Sequence, residues 1–223
     1  MQQTQVSFFR MSMMFTQING GRREMREQCQ WAMKDKRLQH YHDTEWGVPI
    51  YDDQALFEIL SLEIFQAGLT WSLILERRDA LRRGLVNFDI DQLAGFAVAD
   101  EQRLMGDATM IRNHQKLSAV IHNARQWQQQ QLGDLSPTEQ LWSLQRQFQS
   151  QRPGFLSTES KNTFIEQTTA LFKTWEIKRV GLKTTTSFLQ AAGFINDHAE
   201  NCFRKKEIYL SVHTTGRISK NMR

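Results

Sequence analysis

Cysteine is nearly absent from this 223-residue chain, which has only Cys29 and Cys202. Two thiols are too few to staple a small secreted scaffold. No stretch approaches the roughly 18 consecutive apolar residues of a membrane-crossing helix. A cleavable secretory pattern is missing as well, because the apolar run from Val6 to Phe9 is short and Arg10 interrupts it. No segment repeats at a fixed period, which excludes a solenoid. No alternation of apolar and polar residues marks a half-buried strand. These absences leave a soluble, intracellular, helical protein as the expectation, and 40% hydrophobic residues can bury the core of one domain, or of one domain with a small satellite.

What is present is helical periodicity. Leu56, Phe57, Leu60 and Ile64 form a buried stripe, with Asp52 or Asp53 placed to cap it and Gly68 to stop it. Further helices are expected over 70–84, 89–97, 100–106, 112–131, from Pro137 onward, 158–175, 183–192 and 196–203, with a break at Pro153-Gly154. The fold class is therefore all-α. Residues 1–28 carry no sustained pattern and read as a flexible arm, or as the remnant of an imprecise start site. Residues 29–203 form the domain, and 204–223 a basic tail.

The formal charge of +4 is modest, but basic residues gather at Arg22, Arg23 and Arg26, at Arg77, Arg78, Arg82 and Arg83, and at Arg204, Lys205 and Lys206. Such clusters suit a polyanion, although solvated faces show them too. Residues 104–112 join two helices through a short Gly-containing turn, a helix-hairpin-helix arrangement that can offer backbone N–H groups to a phosphate. Arg112 and Lys116 are its candidate phosphate contacts.

Both cysteines have histidine neighbours, as Cys29-x12-His42 and His198-x3-Cys202. Four such ligands would saturate a tetrahedral structural zinc and clasp the two ends of the domain. On a helix, His198 and Cys202 would share one face. Spacing alone also permits two buried thiols, or a disulfide with incidental histidines. Near the first pair, Trp31, Tyr41, Trp46 and Trp71 surround Glu63, which has the apolar neighbours Leu60, Leu62, Ile64 and Phe65. A buried carboxylate is costly unless it meets a partner, and rings around one suit a flat cationic base.

Four ordered blocks carry a resemblance: Cys29-Gln30-Trp31; residues 41–49, YHDTEWGVP; residues 62–71, LEIFQAGLTW; and residues 187–198, SFLQAAGFINDH. Together they resemble the 3-methyladenine DNA glycosylase I (Tag) family. The resemblance implies a helix-hairpin-helix glycosylase with one structural zinc held by Cys29, His42, His198 and Cys202. It further implies that Glu63 reads the damaged base, Tyr41, Trp46 and Trp71 line the pocket, Trp31 stacks nearby, and Leu69 fills the gap left by an extruded nucleotide. The implied partner is alkylated double-stranded DNA in the bacterial cytoplasm, at the nucleoid when acting, with no membrane and a monomeric protein. The absence of a reactive lysine beside the hairpin favours hydrolysis over Schiff-base strand cleavage. The chain departs from the family pattern at Leu38, Ile64, Thr109, Leu182-Lys183 and Thr186, and the changes at Ile64 and Thr109 motivate a second reading, a zinc-stabilised damage-binding module with little catalysis.

Overall fold

The computed structural model describes residues 27–148 and 156–210; Arg22, Arg23 and Arg26, the Pro153-Gly154 break and most of the expected tail lie outside them. The described residues contain helices and no strand. In chain order the helices are α1 (Lys36–Thr44), α2 (Asp53–Gln66), α3 (Trp71–Gly84), α4 (Ile90–Ala94), α5 (Val98–Gly106), α6 (His114–Gln131), α7 (Pro137–Phe148), α8 (Thr158–Thr174) and α9 (Leu182–Ala191).

Short polar residues set most of the helix starts. Asp35 accepts from the amides of Arg37 and Leu38, Asp52 from Ala55, Thr70 from Leu73, and Asn113 from Lys116. Each satisfies a donor that the first helical turn leaves open. Gly68 closes α2 at φ +83°, a conformation that a side chain would strain.

α2 is apolar on nearly every side, so it becomes the centre of the protein. Leu56, Phe57, Leu60, Leu62, Ile64 and Phe65 are all buried, and α3, α6, α7 and α9 pack around them. Trp127 of α6 is fully buried between Phe57 and Trp175, with ring centroids 5.6 and 5.8 Å away. The end of α9 lies close along residues 47–50, where Gly47 and Ile50 donate to the carbonyls of Ala191 and Ala192. Gly193 permits this approach: a Cβ there would stand 2.4 Å from the Pro49 nitrogen.

One expected helix is absent. Residues 196–202 are irregular, and helix resumes only over 203–210. Their backbone donors are drawn to side chains, the His198 amide to Asn196 Oδ1 at 3.4 Å and the Ala199 amide to Cys29 Sγ at 3.3 Å, which competes with helical bonding. The packed body also extends past 29–203 at both ends. Glu27 accepts from the Phe203 amide, Gln28 donates to Asp43, and Ile208 is buried.

Candidate active site and metal centre

Cys29, His42, His198 and Cys202 converge although a helix does not present the second pair. All four are buried, and their ligand atoms lie within 4.8 Å of one another. His42 Nε2 stands 3.1 Å from His198 Nδ1 and 3.4 Å from Cys202 Sγ, while His198 Nδ1 stands 3.6 Å from Cys202 Sγ and 3.7 Å from Cys29 Sγ. Tetrahedral bonding at ordinary metal–nitrogen and metal–sulfur lengths requires edges of about 3.3 to 3.8 Å, so the cluster already has the size to hold a metal ion. The remaining ring nitrogens are occupied elsewhere: His42 Nδ1 meets Asp43 Oδ1 at 2.7 Å, and His198 Nε2 donates to the Trp46 carbonyl at 3.1 Å. These outer contacts turn the other two nitrogens toward the centre. Both cysteines stand as free thiols in the structure. Burial pushes the Cys29 thiol up to about 11 and the His198 imidazole down to about 4, so without a metal both groups are neutral.

Directly beside this centre lies a cavity of about 360 Å³. Trp31, Tyr41, Trp46, Glu63, Gln66, Trp71, Ser187 and Gln190 line it. The structure thus brings together every pocket residue expected from the sequence, and adds Gln66, Ser187 and Gln190. Trp31 and Trp46 meet edge to face at 5.0 Å, while Trp46 packs on the His198 ring at 4.5 Å. One wall of the cavity therefore rests on the Cys/His cluster. Tyr41 and Trp71 form the opposite ring pair at 5.3 Å.

Glu63 supplies the only carboxyl group among the lining residues and is 6% exposed. Among the described residues it has neither an ion-pair nor a hydrogen-bond partner, and burial pushes its pKa from 4.5 up to about 8. The Tyr41 hydroxyl and Trp71 Nε1 are also buried without partners. Three unsatisfied polar groups around one cavity are expensive unless something binds there. Burial is likewise the main cause holding the Tyr41 phenol well above its ordinary range.

The substitutions that depart from the family pattern leave this cavity clear. Ile64 is 1% exposed and packs in the core, and Leu38 is buried; neither is among the lining residues. At the hairpin, Thr109 turns inward on its own loop, its amide and hydroxyl both donating to Asp107 Oδ1.

The expected phosphate contacts divide. Arg112 is exposed on the hairpin and Arg77 sits against it, donating to the Thr109 carbonyl at 3.4 Å. Lys116 cannot serve. It is 5% exposed, and its Nζ donates at 2.7 Å to the carbonyls of both Phe65 and Ala67, at the end of α2. Those carbonyls lack helical partners and carry the negative end of the helix dipole, which a buried cation satisfies. Desolvation lowers the Lys116 pKa. Arg78 is likewise committed, bonding Glu58 at 2.7 Å and Glu45 at 2.6 Å. Leu69 is half-buried on the turn after Gly68, which Gln66 closes by donating to the Leu69 carbonyl at 3.1 Å. Lys116→Met is therefore expected to lower stability by about 1–3 kcal/mol, the cost of stranding buried carbonyls, in thermal denaturation. In salt titrations of DNA affinity it should leave the log–log slope unchanged, whereas Arg112→Ala should reduce that slope by about 0.9.

A helical body with an aromatic cavity built around a buried acid, next to a helical hairpin with an exposed arginine, defines a receptor for a flat base taken from a nucleic acid. The comparisons identify the lineage. The profile of the family described as "Methyladenine glycosylase" matches residues 31–205, and the chain belongs to that family. It is 35% identical over 182 residues to DNA-3-methyladenine glycosylase 1 of Escherichia coli (strain K12), covering 79% of this chain and 95% of the relative. A crystal structure of 3-methyladenine DNA glycosylase I superimposes with TM-score 0.71 at 34% identity, covering 79% of this chain and 98% of that one. A variant of 3-methyladenine DNA glycosylase I in complex with 3-methyladenine gives TM-score 0.69 at 28% identity, covering 80% and 97%.

Proposed function

We propose that this protein is a monofunctional DNA glycosylase that hydrolyses the N-glycosidic bond of 3-methyladenine in alkylated double-stranded DNA. The observation that carries the reading is the buried, unpartnered Glu63 inside a cavity walled by Trp31, Tyr41, Trp46 and Trp71. Methylation at N3 makes adenine cationic and already weakens its bond to the sugar. The protein then needs to extrude the nucleotide and select the base more than it needs a strong acid. The ring faces favour a cation, and ionised Glu63 stabilises the charge and accepts from the amino edge. Arg112 anchors the backbone, and Leu69 fills the space that the extruded nucleotide leaves.

No lysine lines the cavity, and the Lys116 amine beside the hairpin is bound to two carbonyls. Water is therefore the nucleophile, and strand cleavage through a Schiff base is not expected. One zinc per chain, held by Cys29, His42, His198 and Cys202, fits the donor set and its edge lengths; four protein ligands leave no open position, so its role is structural. Metal analysis of the purified protein should return one zinc per monomer, and its absence would overturn this assignment. No described helix is long and apolar enough to cross a membrane; a duplex DNA substrate would bring the acting protein to the nucleoid.

The activity is tested by incubating the protein with methylated duplex DNA and separating the released bases. Release of 3-methyladenine with intact strands is expected. Tight binding to the lesion without release would favour the damage-binding alternative.

A further inference from the structure

Lys116 joins two segments that serve different steps of the proposed reaction. Its backbone belongs to the hairpin: the Lys116 amide donates to Asn113 Oδ1 at 3.1 Å, the cap of α6, directly after the exposed Arg112. Its side chain belongs to the turn after α2, where the ammonium donates at 2.7 Å to the carbonyls of Phe65 and Ala67. That turn projects from the body. Ala67 and Gly68 are exposed, nothing lies within 4 Å of where a Gly68 Cβ would stand, and the half-buried Leu69 follows. Gln66 closes the turn on itself, its carbonyl accepting from the Leu69 amide at 2.7 Å and its side chain donating to the Leu69 carbonyl at 3.1 Å. Apolar packing could hold α6 against α2 equally well, but it is non-directional. Two charge-assisted hydrogen bonds from a buried ammonium fix where the Phe65 and Ala67 carbonyls point.

We infer that Lys116 is a positioning residue for base extrusion, a strut that sets the Leu69 turn at a fixed offset from the Arg112 phosphate anchor. This inference rests on the proposed glycosylase reading and deepens it by naming what couples backbone anchoring to extrusion. Extruding a nucleotide takes two contacts at a set separation, one that holds the backbone and one that enters the stack beside the departing base. If the turn could shift against the hairpin, the anchor would no longer place Leu69 at that gap. A misplacement of about 1 Å caused far from the chemistry can cost about 100-fold in rate. Lys116 is not among the residues that line the cavity, so it acts through Leu69 rather than on the base. Its loss is therefore felt most where extrusion is hardest.

The test measures single-turnover release of 3-methyladenine from one duplex with the lesion either paired with thymine or opposite an abasic site, where extrusion costs less. The parent, Lys116→Met, Leu69→Ala and the double variant are compared below the melting temperature of each. Lys116→Met should lower the ratio of paired to unpaired release about tenfold, the worth of one hydrogen bond to a charged group, while affinity for undamaged DNA is retained. Leu69→Ala should lower the ratio as well. The double variant should fall no further than Leu69→Ala, because the strut acts through that side chain. Lys116→Gln, which keeps N–H donors on a shorter chain, should lose less of the ratio and carries the same test if the methionine variant does not fold. A merely structural lysine would lower both releases together and leave the ratio fixed. That result, or additive losses in the double variant, would overturn the inference alone. An unchanged ratio in Leu69→Ala would overturn both the Leu69 assignment and the strut while leaving the glycosylase reading in place. A parent that releases the base from neither duplex would overturn the functional reading and this inference with it.

Discussion

Glu63→Gln is expected to cut release of 3-methyladenine about 100-fold, the usual cost of removing one preorganised electrostatic contact from a water-poor site, while raising the stability of the free protein. Both effects follow from the burial of one carboxyl group without a partner. Because its folded pKa of about 8 exceeds the ordinary 4.5, the penalty is absent below about pH 4.5 and grows until about pH 8. At pH 7 it amounts to about 3 kcal/mol, an upper bound on what glutamine recovers because its amide is also buried. The parent therefore holds a neutral acid in the empty cavity near pH 7, and an incoming cation drives the proton off. Specific binding of the lesion should strengthen as pH rises toward 8, by up to about tenfold per unit below that value, and then level off. In Glu63→Gln the profile should be flat. Excision rates across this range, normalised to affinity for undamaged DNA, together with melting curves, measure all three effects. An unchanged rate in the variant would sink the role of this carboxyl group.

The same residues show how far a sequence reveals a site. Glu63, the rings and the Cys/His cluster were legible because their chemistry is rare: a carboxylate on an apolar helix and two cysteines each near a histidine have few uses. The core helix was legible because nearly every side of α2 is apolar. Lys116 was misleading, since a lysine at the start of a helix in a basic hairpin has the local pattern of a phosphate contact. Only the three-dimensional path of α2 shows its ammonium between the Phe65 and Ala67 carbonyls. Arg78 hid in the same way, its partners Glu45 and Glu58 lying on other segments. Ser187 and Gln190 carried no signal, because hydroxyl and amide side chains are ordinary on a helix; the side of α9 that faces the cavity was the missing datum. His198-x3-Cys202 pointed to two side chains that do converge with Cys29 and His42, but not from a helix. A four-residue offset serves a helix or a turn, and bonds from the local backbone to side chains, Cys29 Sγ among them, decided for the turn.

Loss of the proposed zinc is expected to disable the base cavity before it unfolds the protein. The four ligands tie residues 29–42 to 198–202, and the Cys29–His198 contact spans 169 positions. Closing a loop of that length restricts the unfolded chain by about 5 kcal/mol in the chain-entropy treatment, so His198→Ala should lower the melting temperature markedly. The core centred on α2, α6 and α8 shares no ligand with the clasp, and most helicity should survive at moderate temperature. The cavity is more exposed to the loss. The Trp46 carbonyl accepts from His198, its ring packs on the imidazole at 4.5 Å, and Trp31 leans on both Trp46 and His42. A chelator titration followed at once by tryptophan fluorescence, far-ultraviolet circular dichroism and 3-methyladenine release should therefore show fluorescence and release falling together while helicity persists, with zinc restoring both. If release persists in protein shown to be metal-free, the clasp does not support the cavity wall. If helicity and release vanish in a single step, the two parts are one cooperative unit and the separation argued from the packing is wrong.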